Sequence, residues 1–193
     1  MKGKFITIYG INNIGKSTHC KLLVERLKKA GHKAKFIKYP VYDIEPSGPF
    51  LNKALRRRKQ MISEAELQMW FVVNRYQFQP KLEKMLSEGY IVVAEDYRGT
   101  GIAWGTAKGL DEKWVEEINS KVLPEDLVIW IEGKRNIEAK EDVHVHEQND
   151  ELMEKCKEVH GHLARKYGWK KVKLQEKVED TAELIWKTVL DFL

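Results

Sequence analysis

A chain of 193 residues with 42% hydrophobic and 33% charged residues suits one folded domain and excludes a disordered chain. No apolar run approaches the ~20 residues of a membrane span. The net charge of +5 favours anionic partners, among them nucleotides, without demanding nucleic acid. Cys20 and Cys156 lie too far apart in sequence for a C-x-x-C pair and are too few for a disulfide framework. They predict reduced thiols in a cytoplasmic protein. Met1-Lys2-Gly3-Lys4 leads straight into a strand-like run, without the apolar stretch of a secretory leader.

Strand-like and helix-like segments alternate along the whole chain. Phe5 to Tyr9 is a β-rich run ending at Gly10. Residues 16–30 read as a helix, with Leu22, Leu23 and Leu27 on one face and Gly31 closing it. Lys35 to Tyr39 is a second strand, stopped by Pro40. A short helix is predicted over 48–58. Ser63 and Glu66 form a capping-box signature for a long helix to about residue 87, kinked at Pro80. Tyr90 to Ala94 is a continuous apolar run, the pattern of a strand central in a parallel sheet. Residues 112–122 read as helix and Leu127 to Ile131 as the fourth strand. A polar, irregular segment follows over 134–149. A helix over 150–167, an edge strand over 170–174 and an amphipathic helix over 178–193 complete the chain.

This alternation predicts one α/β domain over 1–193, with a five-stranded, mainly parallel sheet and helices on both faces. Ligands bind such sheets at the carboxyl ends of the strands. Residues 10–18, 40–43, 95–99 and 132–135 are therefore the first places to look for a site.

Gly10-Ile11-Asn12-Asn13-Ile14-Gly15-Lys16-Ser17-Thr18 matches G-x-x-x-x-G-K-[ST]. Glycines let the backbone wrap phosphate oxygens, and the following helix directs its positive dipole end at them. Lys16 is expected to reach the β- and γ-phosphates of ATP, and Ser17 to hold Mg²⁺. A chain this long meets the pattern by accident roughly once in a hundred. An accident has no reason to fall between a strand and a helix, as this match does. The motif predicts the three-layer α/β/α fold of P-loop NTPases.

Such a loop serves kinases, switches and motors alike. Asp96-Tyr97-Arg98-Gly99 fits the D-x-x-G of a GTPase, but no N-K-x-D follows to read guanine. Arg56-Arg57-Arg58-Lys59 is either a solvated helix face or a phosphate-facing cluster.

Several segments together resemble the thymidylate kinase family. Tyr39-Pro40 sits where that family has an aromatic-Pro pair. Phe71-Val72-Val73-Asn74-Arg75 with Pro80 is similar to its F-x-x-N-R segment and following proline. Glu95-Asp96-Tyr97 with Thr100-Gly101-Ile102-Ala103-Trp104 is similar to its D-R-Y and S-G-x-A-aromatic stretch. Leu110-Asp111, Trp114 and Leu123-Pro124-Glu125-Asp126-Leu127 continue the likeness. The resemblance implies an enzyme moving the ATP γ-phosphoryl group to dTMP, with Mg²⁺, commonly as a homodimer. It implies that Phe71 stacks on the base, Arg75 donates to thymine O4, Trp104 crowds the sugar C2′ and Asn12 accepts from the 3′-OH. It further implies a small lid, here 134–149, whose one arginine, Arg135, shares charge neutralisation with Lys16.

The departures concern the acceptor phosphate. The family's D-R pair reads Glu95-Asp96, so its phosphate-gripping arginine is replaced. Either carboxylate is a candidate for positioning Mg²⁺ or the acceptor; a one-residue shift puts Asp96, with Ser17, at the metal. A second expected arginine is Tyr42. Arg98, or the cluster from Arg56 to Arg58, stands as the substitute. These gaps leave a deoxyribonucleoside kinase as the alternative, and a P-loop switch as a more distant one. His144, His146, His160 and His162 raise a metal reading, which helical spacing opposes for His160 and His162.

Overall fold

Residues 3–56, 62–134 and 150–193 are described by the structure, a computed structural model. Five strands arise where β-rich runs can bury both faces. In β1 (Lys4–Tyr9), Phe5 and Tyr9 face one core while Ile6 and Ile8 face another. In β3 (Ile91–Glu95), Val92 and Ala94 join the first core, and Ile91 and Val93 the second. The two-residue period of a strand thus supplies both layers, and continuous apolar sequence is the result.

The sheet order is β2-β3-β1-β4-β5, and every neighbouring pair is parallel. The edges are β2 (Ala34–Lys38) and β5 (Lys170–Lys173). Both carry exposed lysines, which discourage pairing with another chain. β4 (Leu127–Glu132) lies between β1 and β5. Register aligns Lys38 of β2 and Ile8 of β1 with Glu95 of β3. The carboxyl ends of three adjacent strands therefore meet at one rim.

The helices are α1 (Lys16–Lys29), α2 (Ser47–Leu55), α3 (Glu64–Ser87), α4 (Arg98–Ala107), α5 (Glu112–Asn119), α6 (Asp150–Tyr167) and α7 (Val178–Leu190). Ser63 caps α3, its hydroxyl accepting the Glu66 N–H at 3.1 Å, as the sequence signature predicts. Val72, Phe78, Leu82 and Met85 bury one face of α3 against the sheet, and Pro80 lies within the helix.

α4 is absent from the sequence reading. Gly99, Gly101 and Gly105 give it poor intrinsic propensity. Burial of Ile102, Ala103 and Trp104 stabilises it instead. α5 ends at Asn119, three residues before the expected 122, and that side chain turns back to Val115 O at 2.8 Å. α2 ends at Leu55 rather than 58, and α7 at Leu190 rather than 193. Arg57, Arg58 and Lys59, and the segment expected to form a lid beyond Lys134, with Arg135, Lys140, His144 and His146, lie outside the described residues.

Candidate active site

A cleft of about 680 Å³ opens along the rim where β1, β2 and β3 end. Its donor end is the loop before α1. Gly15 caps α1 with φ +90°, a left-handed conformation that glycine adopts without strain. Asn12, Asn13, Ile14, Gly15, Lys16, Ser17 and Thr18 line the cleft. Ile11 is turned into the core, and Gly10 passes close to Ile131. Lys16 is 5% exposed; its Nζ donates to Gly10 O at 2.9 Å and Ile11 O at 3.0 Å. The ammonium is thereby held at the mouth of a loop built for anions.

The two carboxylates after β3 part company. Glu95 is 4% exposed and accepts the Ser17 hydroxyl at 2.5 Å. The ammonium of Lys38 stands 3.0 Å from its other oxygen. Asp96 turns through φ +59°, accepts from Thr100 Oγ1 at 2.8 Å and stands 3.7 Å from Lys16 Nζ. The carboxylate bonded to Ser17 is therefore Glu95, while Asp96 faces Thr100 and Lys16. The physical reason is that β3 ends at Glu95 and the chain turns at Asp96 through a left-handed φ of +59°. Burial raises the Asp96 carboxyl above its ordinary value; Lys16 opposes this and Glu95 adds to it. Burial pulls Lys38 down, but Glu95, then Asp96 and Tyr42, hold its ammonium above the ordinary value.

The other end of the cleft is apolar and aromatic. Phe71 and Trp104 line it, as does Tyr42. Neighbouring Trp70 instead stacks on Phe50, ring centroids 4.3 Å apart. Arg75 is 4% exposed and lines the same cleft. Its Nη1 donates to Asn119 Oδ1 at 2.6 Å and its Nη2 to Tyr97 O at 2.9 Å. One cleft thus joins Lys16, Ser17, Glu95 and Asp96 to Phe71, Arg75, Trp104 and Asn12.

Arg98 is not among the residues that line the cleft. Its Nε donates to Glu125 at 2.5 Å, and the Tyr9 hydroxyl donates to the same carboxylate. Glu125 is nearly wholly buried, so the pair pins the start of α4. Arg98→Ala is expected to destabilise the fold by about 2 kcal/mol. The acceptor KM is expected to stay within about twofold, because the side chain lies off the cleft. Thermal melting with steady-state kinetics checks both. Gly99, the glycine of D-x-x-G, also faces away: its N–H donates to the Tyr9 hydroxyl at 3.2 Å. A γ-phosphate sensor has no place there. His160 is buried, its Nδ1 2.8 Å from Cys156 O, while His162 is exposed beside Glu112.

Lys38, Gln68 and Asn74 are among the cleft residues that escaped the sequence reading. Lys38 is the last residue of β2, two places before the segment searched after that strand. Gln68 precedes Phe71 by three positions and Arg75 by seven, a spacing that puts all three on one face of α3. Asn74, quoted only as part of the motif, clamps the loop after β2. Its side chain exchanges two 2.8 Å bonds with the Val41 backbone and donates to Ser47 Oγ at 2.9 Å.

Residues 8–185 match the family model described as Thymidylate kinase. A putative thymidylate kinase of Invertebrate iridescent virus 6 is 26% identical, covering 92% of this chain and 83% of its own length. The thymidylate kinase of Plasmodium falciparum is 28% identical over 97% of this chain and 90% of its own. The human thymidylate kinase is 26% identical, covering 94% of this chain and 87% of its own. The solved thymidylate kinase of Candida albicans, 20% identical, shares the fold at a TM-score of 0.81, covering 98% of this chain and 92% of that one. With the loop, the carboxylate at the end of β3 and the F-x-x-N-R face of α3 around one cleft, the chain belongs to the thymidylate kinase family.

Proposed function

We propose that the chain is an ATP-dependent nucleoside monophosphate kinase that transfers the γ-phosphoryl group to dTMP, giving dTDP. The observation that carries this is the single cleft with a phosphate loop at one end and Phe71 with Arg75 at the other. Two substrates bound end to end there present an acceptor oxygen to the γ-phosphorus. Phosphoryl transfer needs little beyond such positioning and neutralised charge. Residues 10–18 cradle the donor phosphates, and Lys16 neutralises charge on the transferring group. Ser17 and Glu95 offer hard oxygen atoms suited to Mg²⁺, which supplies further neutralisation when bound with ATP. Phe71 gives the base a flat apolar face, Trp104 bounds the sugar, and Asn12 accepts from the 3′-hydroxyl. Arg135 is the lid's contribution.

The acceptor phosphate falls to Lys38. Among the described cations that line the cleft, Lys16 belongs to the loop, Arg75 is tied to Asn119 and Tyr97, Arg56 donates from Nε to Asn52 Oδ1 at 2.8 Å, and Lys134 begins the expected lid. Lys38 also lines the cleft, stands 3.0 Å from Glu95 and is about half exposed. It is a point charge on a flexible stem and can turn from Glu95 toward a phosphate.

Asp96 at the arginine position favours a second reading, a deoxyribonucleoside kinase. ADP formation from MgATP against dTMP, dUMP, dCMP, thymidine and no acceptor separates the two. Turnover with dTMP far above thymidine supports the proposal; thymidine alone as acceptor overturns it. In the same assay Lys38→Ala is expected to raise the dTMP KM about tenfold with the ATP KM unchanged. An unchanged dTMP KM removes Lys38 from this role.

Met69, Val73 and Tyr76 form an exposed apolar stripe on α3, 47%, 39% and 41% exposed. The stripe supports a homodimer, and a monomer in sedimentation at assay concentration contradicts it. No described helix is long and apolar enough to cross a membrane. The proposed compartment is the cytoplasm, where the free, buried Cys20 and Cys156 stay reduced. Recovery of the chain from the periplasm or medium contradicts that placement.

A further inference from the structure

Gln68 is 1% exposed and lines the acceptor end of the cleft. Its Nε2 donates to Glu64 Oε1 at 3.0 Å. A carboxylate accepts and does not donate, so the amide nitrogen faces Glu64 and Oε1 faces the other way. Lys108 holds Glu64 in place through its second oxygen at 2.7 Å. Gln68 Oε1 is buried and has no hydrogen-bond partner among the described residues. Arg75 Nε is in the same condition.

Gln68 Oε1 and the terminal nitrogens of the Arg75 guanidinium both approach α4 at Gly101. A Cβ at Gly101 would stand 2.7 Å from Arg75 Nη2 and 3.2 Å from Gln68 Oε1. Gly105, one turn on, leaves room for the Gln68 stem, whose Cγ is 3.4 Å from the Cβ that position lacks. A buried amide oxygen and a buried guanidinium thus both lie against Gly101 in the cleft. Such groups cost free energy unless a ligand completes them.

We infer that Gln68 is a specificity-determining residue that accepts the N3–H of the acceptor base. The inference rests on the dTMP reading above and deepens it. Thymine and uracil present O4, an acceptor, next to N3–H, a donor. Arg75 and Gln68 complement that pair. Cytosine presents an amino donor at C4 and an acceptor at N3, so both contacts fail together. The Lys108–Glu64 pair prevents the Gln68 amide from flipping to suit cytosine. The 5-methyl group is not involved, so this contact treats dTMP and dUMP alike.

The test compares kcat/KM for dTMP and dCMP, and the affinity for N3-methyl-dTMP, in wild type and Gln68→Met. The wild type is expected to favour dTMP over dCMP by about a hundredfold or more, and to bind N3-methyl-dTMP at least about tenfold more weakly than dTMP. Gln68→Met keeps the volume but removes the acceptor. It is expected to lose about tenfold or more on dTMP, leave dCMP within about twofold and erase the N3-methyl penalty. Equal losses on dTMP and dCMP, or an unchanged ratio between them, overturn the inference. The wild-type comparison with N3-methyl-dTMP needs no variant to fold, and equal affinity for the two ligands also overturns it. A wild type that forms ADP with no deoxynucleotide fails at the level of the kinase reading, and that result is separable from the other two.

Discussion

Lys16→Ala is expected to lower kcat by about a thousandfold while the secondary structure stays intact. The side chain bonds two loop carbonyls, at 2.9 and 3.0 Å, and is 5% exposed. Its charge is therefore fixed where donor phosphates gather rather than screened by water. Alanine removes that charge and leaves Asp96, 3.7 Å away, without the cation it pairs with among the described residues. Lys16→Arg keeps the charge but cannot fit the same two carbonyls with a planar fork, so it is expected to recover little. Circular dichroism with a coupled kinase assay checks the pair. Retained turnover in Lys16→Ala removes the loop from the reaction.

Glu95→Ala has the second largest expected effect, about a hundredfold in kcat with a raised KM for MgATP. Among the described residues Glu95 is the one carboxylate bonded to Ser17, and it also pairs Lys38. Without it the Ser17 hydroxyl loses its orientation and Lys38 its anchor, so donor and acceptor ends suffer together. Asp96→Ala offers the contrast. Its contacts are Thr100 and Lys16, so its main expected change is in the acceptor KM. Steady-state kinetics with each substrate varied in turn distinguishes them. Equal profiles for the two variants contradict the division of labour.

Much of the fold was legible because its signals are local. The run from Tyr90 to Ala94 announces a strand buried on both faces, and Ser63 with Glu66 announces the start of α3. The phosphate loop was legible for the same reason, since one contiguous segment carries all its parts. α4 was not, because its stability comes from what Ile102 and Trp104 pack against and three glycines mask it.

The acceptor end was only half legible. Phe71 and Arg75 follow from a motif and helical spacing, and both reach the cleft. Arg98 was assigned by nearness in sequence to Asp96, but the turn at Asp96 sends it to Glu125. No local pattern pairs residues 27 positions apart. Lys38 becomes visible only once parallel register brings it level with Glu95. Gln68 becomes visible only when Glu64 fixes its amide and α4 passes beside it.

The most direct measurement follows the label from ATP carrying radioactive γ-phosphorus, incubated with Mg²⁺, dTMP and the enzyme. The account predicts label in dTDP, in amounts matching the ADP formed. Label in free phosphate alone, unaffected by dTMP, or label entering thymidine but not dTMP, contradicts it.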